Sequence, residues 1–184
     1  MNKACRITAA LLGAMLTGCA GLETPKTEDL SQGISPYPKP LRNAVVFPVD
    51  FGGHDDESDY GIKQIGIQYT GCLGSCPDFT FIVNSDGTFR YYGDDYVKRK
   101  GNWHGTVDDW ELHRVLRYIH EIDFFKFADQ YTEEVSDGLN IYTMVRTGAR
   151  KKAVDNYMEL GPATLGALED MICHLQDHAV WKRG

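Results

Sequence analysis

The chain has 184 residues, of which 42% are hydrophobic and 24% charged, which is enough for one domain with a substantial core. Its formal net charge is −7, because 26 acidic residues outnumber 19 basic ones. Nucleic acids and anionic bilayer surfaces both select for Lys and Arg, so the acidic balance argues against either as the main partner. We therefore expect no nucleic-acid partner.

The first residues have the pattern of an export signal. Lys3 and Arg6 precede the apolar run at 9–16, which is too short to span a bilayer, since a span needs roughly 20 apolar residues. The run ends in LTGC, which resembles the box of bacterial lipoprotein signals. The resemblance implies that Cys19 carries lipid and becomes the new N-terminus. Ala20 replaces the Asp that retains such proteins at the inner membrane, which implies the periplasmic face of the outer membrane.

Removal of a signal peptide at residues 1–18 would leave 166 residues, starting at Cys19. The remaining 17 basic and 26 acidic residues give a mature net charge of −9. Five of the seven prolines lie between Pro25 and Pro48, so the segment 19–60 is predicted to be a stiff, extended tether. A single folded domain is expected over 61–184.

The domain opens with strand patterns. The stretch IKQIGIQYT, from Ile62, alternates apolar and polar residues as a half-buried strand does. The stretch FTFIVNSDGTFRYYG predicts a hairpin with a three-residue loop, Ser85 to Gly87, in which Asn84 pairs with Thr88. A slip by one residue would split the apolar set, so this register is favoured. It places five side chains on one face: Phe79, Phe81, Val83, Phe89 and Tyr91.

The rest of the domain alternates helices and strands. A strand around GNWHGTV with Trp103 inward precedes a helix with Asp108 as its N-cap and Glu111 completing a capping box. A second hairpin turns around Gly148, and a last helix starts at Pro162. The buried face of that helix is predicted to carry Leu165, Leu168, Ile172 and Leu175. The order indicates an α+β fold: a mostly antiparallel sheet of about five strands with two helices packed on one side.

The most distinctive stretch is YTGCLGSCP, where Cys72 and Cys76 flank a short turn. An exported protein meets an oxidising compartment, in which nearby thiols form disulfides. Gly71 and Gly74 permit a sharp turn that brings the two Cβ atoms close enough, and Pro77 stiffens the exit from it. The favoured interpretation is a disulfide that fixes the connection between two strands. Gly87 is expected to take the left-handed backbone conformation that the loop of the following hairpin needs.

A copper or thiol-redox site is the alternative for Cys72 and Cys76. The stretch resembles the Cys-x-x-x-Cys-Pro of copper chaperones for cytochrome oxidase, in which two thiolates and a distant His hold copper. In that fold the cysteines lead into a helix, whereas here they lead into a hairpin. A zinc site would need a second ligand pair, and Cys173 beside His174 does not supply one. The histidines that could complete a copper site are His104, His113, His120, His174 and His178.

Other residues point to packing rather than chemistry. Cys173 neighbours Ile172 on the last helix and is expected to act as a small buried hydrophobe. Tyr92 and Arg90 could line a ligand or peptide surface, although ordinary strand composition explains them as well. No G-x-S-x-G, H-E-x-x-H, P-loop or G-x-G-x-x-G motif occurs, so we predict no catalytic residues, no metal site and no cofactor.

The Gly-Cys-x-Gly-x-Cys-Pro turn, the Ser-Asp-Gly hairpin and the later FFKFADQY resemble a family of bacterial envelope domains of unknown function, over roughly 62–181. The resemblance implies an α+β domain and carries no activity. The sequence thus predicts a lipid-anchored envelope protein, and it favours a non-catalytic binding or assembly-support module over an enzyme. Its partners would be the membrane, through Cys19, and an unidentified envelope protein.

Overall fold

A computed structural model describes residues 59–133 and 137–184 of the chain. The signal at 1–18, Cys19 and nearly all of the tether lie outside these residues. None of the described helices is long and apolar enough to cross a membrane.

The described residues form one sheet and two α-helices. The strands are β1 (Ile62–Tyr69), β2 (Phe79–Asn84), β3 (Thr88–Gly93), β4 (Gly101–Thr106), β5 (Gln130–Tyr131), β6 (Asn140–Thr147), β7 (Lys151–Tyr157) and β8 (Val180–Arg183). The helices are α1 (Asp109–Glu121), α2 (Ala163–His174) and a 3-10 turn at Phe124–Lys126. The sheet order is β5-β7-β6-β1-β2-β3-β4-β8, and only β5 and β7 pair in parallel. The predicted α+β class is confirmed.

The predicted hairpin register is confirmed. Phe81 pairs with Tyr91 and Val83 pairs with Phe89, so the loop has three residues. Gly87 has a φ of +80°, the left-handed region that a residue with a Cβ adopts at a cost. All five predicted apolar side chains are buried in the core. The alternation of the sequence therefore determined the register, because only one pairing buries the whole apolar set.

Both helices cover the same face of the sheet. Asp108 caps α1 by accepting a hydrogen bond from the Glu111 N–H at 3.0 Å, as predicted, while the Glu111 carboxylate contacts Arg114. Four residues of each helix enter the core, at the spacing of an apolar stripe. They are Leu112, Val115, Leu116 and Ile119 from α1, and Leu165, Leu168, Ile172 and Cys173 from α2. The predicted inward face of α2 is therefore confirmed, and Leu175 is buried just beyond its end.

The predicted count of about five strands is wrong, because the sheet has eight. The two-residue β5 is too short to give an alternation signal. The strand β8 reads VWKR. Three of its four residues are exposed and two of those are charged, so its sequence looks like a surface tail. It pairs with β4 and brings Trp181 to 4.7 Å from the ring of Phe89. Pro162 precedes α2 as its N-cap instead of opening it.

The opposite face of the central strands is also buried. It carries Gln68, Met144 and Ile82, which are outside the main core cluster. Gln68 is fully buried, and neither polar atom of its amide has a hydrogen-bond partner within the described part of the chain. Towards β3 and β4 the same face becomes exposed, with Tyr92 at 48%.

Candidate functional site

The cysteine turn lies in the nine-residue connection between β1 and β2. Cys72 and Cys76 have their sulfur atoms at bonding distance and their Cα atoms 5.6 Å apart. Gly74 has a φ of +153° and donates its N–H to the Cys72 carbonyl at 2.8 Å. A Cβ on Gly74 would sit 3.7 Å from the Cys72 sulfur, so backbone conformation requires glycine there more than space does. The geometry fits the predicted disulfide.

Asp78 ties the cysteine turn to the neighbouring connection between β3 and β4. Its backbone N–H donates to the Asp95 carbonyl, its carbonyl accepts from the Asp94 N–H, and both distances are 2.9 Å. Its carboxylate also accepts from the Gly71 N–H at 3.4 Å. Burial raises the pKa of the Asp78 carboxyl, and Asp94 and Asp95 raise it further, against the opposing hydrogen bond from Gly71. Pro77, directly before it, is buried.

We use the term loop end for the segments 70–78, 94–100, 137–139 and 158–161, which share one end of the sheet. The pairs Tyr69–Phe79, Phe79–Gly93 and Asn140–Tyr157 close the strands at this end. Backbone hydrogen bonds link the segments further: the Thr70 N–H donates to the Asn140 carbonyl, and the Met158 N–H donates to the Leu139 carbonyl. The loop end is therefore a continuous surface.

Large apolar side chains are exposed at the loop end. Leu73, at the tip of the cysteine turn, is 80% exposed. Tyr96, Met158 and Leu160 are 57%, 50% and 43% exposed. Together they are half of the large apolar side chains that are exposed in the described residues, and the others are spread over the rest of the domain.

Unusual backbone conformations are concentrated at the loop end. Six described residues other than glycine have a positive φ, and four of them lie at the loop end: Tyr96, Asp137, Met158 and Glu159. Such conformations cost about 1 kcal/mol or more and tend to cluster at binding and catalytic sites. The loop end thus holds costly conformations together with exposed apolar side chains.

A buried polar cluster, absent from the sequence-based candidates, lies between α2 and the sheet. Glu169 is 2% exposed and accepts hydrogen bonds from the Thr143 hydroxyl at 3.0 Å and from the Asn156 side-chain amide at 2.8 Å. Burial raises the pKa of the Glu169 carboxyl to about 8, against these two hydrogen bonds, and the nearby carboxylates Glu159 and Asp170 add to the rise. Its carboxyl is therefore protonated at neutral pH.

Tyr69 connects this cluster to the loop end. Burial raises the pKa of its phenol, and so do the carboxylates of Glu169, Glu159 and Asp170. Its hydroxyl lies 3.8 Å from the sulfur of Cys173, which is 4% exposed and packs in the core. Cys173 is disulfide-bonded, so the expectation that it acts only as a small buried hydrophobe is wrong. The spacing of α2 carried a signal for the cluster, because position 169 falls on the same face as Leu165 and Ile172.

The histidines that were considered as copper ligands are dispersed. His113 contacts Asp59 and Asp109, His120 stacks on Tyr60, and His174 lies beside Asp177. Within 59–133 and 137–184, no group of three or more His, Cys, Asp or Glu side chains is placed to hold a metal ion. His104 pairs with Arg90 on the exposed sheet face, and His178 lies near His174.

The fold and the site define a class: an α+β domain with a large, mostly antiparallel sheet, two helices on one face and a cysteine-closed turn at the end of the sheet. The model of the family DUF6438, described as a domain of unknown function, matches residues 63–176, and the chain belongs to this family. The expected membership in a family of unknown function is thereby confirmed, and the envelope location stays a prediction. Comparisons with curated proteins and with solved structures found no match.

Proposed function

We propose that this protein is a lipid-anchored envelope protein whose domain acts as a non-catalytic binding or assembly-support module at the periplasmic face of the outer membrane. The binding role rests above all on Leu73, which is 80% exposed at the tip of the turn between Cys72 and Cys76. The anchoring role rests on the LTGC box and Cys19.

An exposed leucine on a fixed turn favours binding over a purely structural role. Covering an apolar side chain with a partner removes apolar surface from water, which stabilises the complex by about 25 cal/mol per Å² of that surface. A cross-linked loop loses less conformational entropy on binding than a free loop does, so more of that gain appears as affinity. Binding residues commonly lie on loops that a rigid scaffold positions, as the eight-stranded sheet does here.

The binding role can be tested by photo-crosslinking in cells. A benzophenone-bearing residue would replace each exposed apolar side chain in turn, including Leu73, Tyr92, Trp110 and Val180. A discrete protein adduct at one position, absent at the others, is the expected result. The absence of an adduct at every position would contradict the binding role.

The alternative, copper or thiol-redox chemistry at Cys72 and Cys76, predicts different thiol behaviour. We would export the chain from Ala20 onward, purify it without reductant, alkylate it after denaturation and map the labelled peptides. Unlabelled Cys72 and Cys76, joined in one bridged peptide and resistant to mild reductant, are expected for a structural disulfide. Labelling of both, together with retention of Cu(I) that the double variant Cys72→Ser, Cys76→Ser loses, would contradict the structural role.

Lipid attachment has its own test. Growth with labelled palmitate should label the full chain, and Cys19→Ser should abolish the label and release the protein from the membrane fraction. The double variant Cys72→Ser, Cys76→Ser, which changes cysteines of a surface turn and keeps Cys19, is the matched control and should leave the label unchanged. A labelled Cys19→Ser variant would refute the proposed anchor.

A further inference from the structure

The basic side chains of the loop end all lie in one of its segments, 94–100. Outside the segment 94–100, its charged side chains, Asp78, Asp137 and Glu159, are all acidic. Asp170 of α2 adds a carboxylate close enough to raise the pKa of Tyr69. The negative side of the loop end is therefore the side that carries Leu73, Met158 and Leu160.

The cations of the loop end lie in the segment 94–100, and two of the three have partners. The Lys100 ammonium bonds the Asp95 carboxylate at 2.6 Å. The Arg99 guanidinium lies 4.0 Å from the ring centroid of Trp181, as in a cation–π contact. The same segment also carries Asp94 and Asp95, so the loop end as a whole has five acidic and three basic side chains and is net negative.

We propose that the loop end docks a protein segment that carries apolar side chains flanked by Lys or Arg. Leu73, Met158 and Leu160 would cover the apolar side chains, and Asp78 and Glu159 would face the cations. This inference deepens the proposed binding function and rests on it.

The loop end is already restricted in conformation before such a segment binds. The bridge between Cys72 and Cys76 restricts one segment, and the backbone hydrogen bonds through Asp78 fix the next one to it. Little reordering would accompany binding, which raises affinity for a given contact area. Charge complementarity would add selectivity and a salt-dependent association rate.

The test is an NMR titration of the isotope-labelled chain from Ala20 to Gly184. The probe is a short peptide of alternating Leu and Lys. Two matched peptides serve as controls: one replaces Lys with Glu, and the other replaces Leu with Ser. The protein variant is Leu73→Ser, and its matched control is Val180→Ser, which removes a 60% exposed apolar side chain on β8.

The Leu and Lys peptide should shift amide signals in the loop end, and both control peptides should bind at least tenfold more weakly. Leu73→Ser should weaken binding about tenfold, the factor expected for loss of one apolar contact, and Val180→Ser should leave it unchanged. Unchanged spectra of both variants without peptide would show that each remains folded.

Three results would overturn the inference. They are equal binding of the Ser and Lys peptide, equal binding by Leu73→Ser, and no shift at the loop end. Shifts only around Tyr92 would exclude this surface while leaving a binding function in place. Failure of the binding function itself would appear separately, as the absence of photo-crosslinks at every position.

Discussion

The buried carboxyl of Glu169 should make the stability of this domain fall as pH rises. We consider the variant Glu169→Gln, which keeps the size and shape of the side chain. Its amide oxygen can still accept from Asn156, and its amide nitrogen can donate to the Thr143 hydroxyl. The variant therefore removes the ionisation and keeps a hydrogen bond to each partner, although the bond with Thr143, which donates in the wild type, is reversed.

The sign and size follow from linkage. In the unfolded chain the Glu169 carboxyl has its ordinary pKa of 4.5, and in the folded chain burial raises its pKa to about 8. Between these values the folded state holds a proton that the unfolded state has lost, so the free energy of unfolding falls by about 1.4 kcal/mol per pH unit. The penalty is absent below pH 4.5, reaches roughly 3 kcal/mol at pH 7 and levels off near 5 kcal/mol above pH 8.

The assay is urea unfolding across this pH range, followed by the fluorescence of Trp103, Trp110 and Trp181. Glu169→Gln should match the wild type near pH 4.5 and exceed its stability by roughly 3 kcal/mol at pH 7. The control Glu121→Gln removes an exposed carboxylate and should follow the wild type throughout. Burial also raises the pKa of Asp155, to about 6, but this group is common to all three proteins and cancels in the difference. Parallel curves for the wild type and Glu169→Gln would refute the reasoning.

Three further variants test other features by thermal or urea unfolding. Cys72→Ser with Cys76→Ser should lower the free energy of unfolding by about 2 kcal/mol, the chain-entropy value for so short a loop; no change would argue against a bridge. Gln68→Met should raise it by roughly 1–3 kcal/mol, because it removes a buried amide without partners in the described residues; a loss would show that the amide is satisfied. Gly105→Ala should lower it by about 1–3 kcal/mol and shift the tryptophan emission, because the new Cβ would lie 1.8 Å from the Val180 carbonyl oxygen; wild-type stability would mean that β4 and β8 do not pair.

Local sequence rules predicted the parts of the fold that local physics determines. The hairpin around Gly87 follows from alternation and from one turn residue with a positive φ. The start of α1 follows from the side chain of Asp108 and the N–H three residues later. Each feature depends on residues within a short stretch, so the sequence alone is enough to predict it.

Features that join distant segments were not predictable in the same way. The strand β8 has no alternation of its own and exists because β4 offers it an edge and the aromatic core accepts Trp181. The Glu169 cluster depends on Thr143 and Asn156, which lie on two different strands. The apolar stripe of α2 places Glu169 on the buried face, but only the tertiary fold supplies its hydrogen-bond donors.

The position of the cysteine pair indicates what the bridge is for. The strands β1 and β2 pair fully without it, from Gln64 with Asn84 to Tyr69 with Phe79. The nine residues that connect them exceed the usual length of a hairpin loop, and the bridge closes only the five residues at the tip. Its loss should therefore speed hydrogen exchange of the amides at 71–76 and leave those of β1 and β2 nearly unchanged, relative to global stability. Equal acceleration in the two strands would mean that the bridge supports the sheet, and the display of Leu73 would then be incidental.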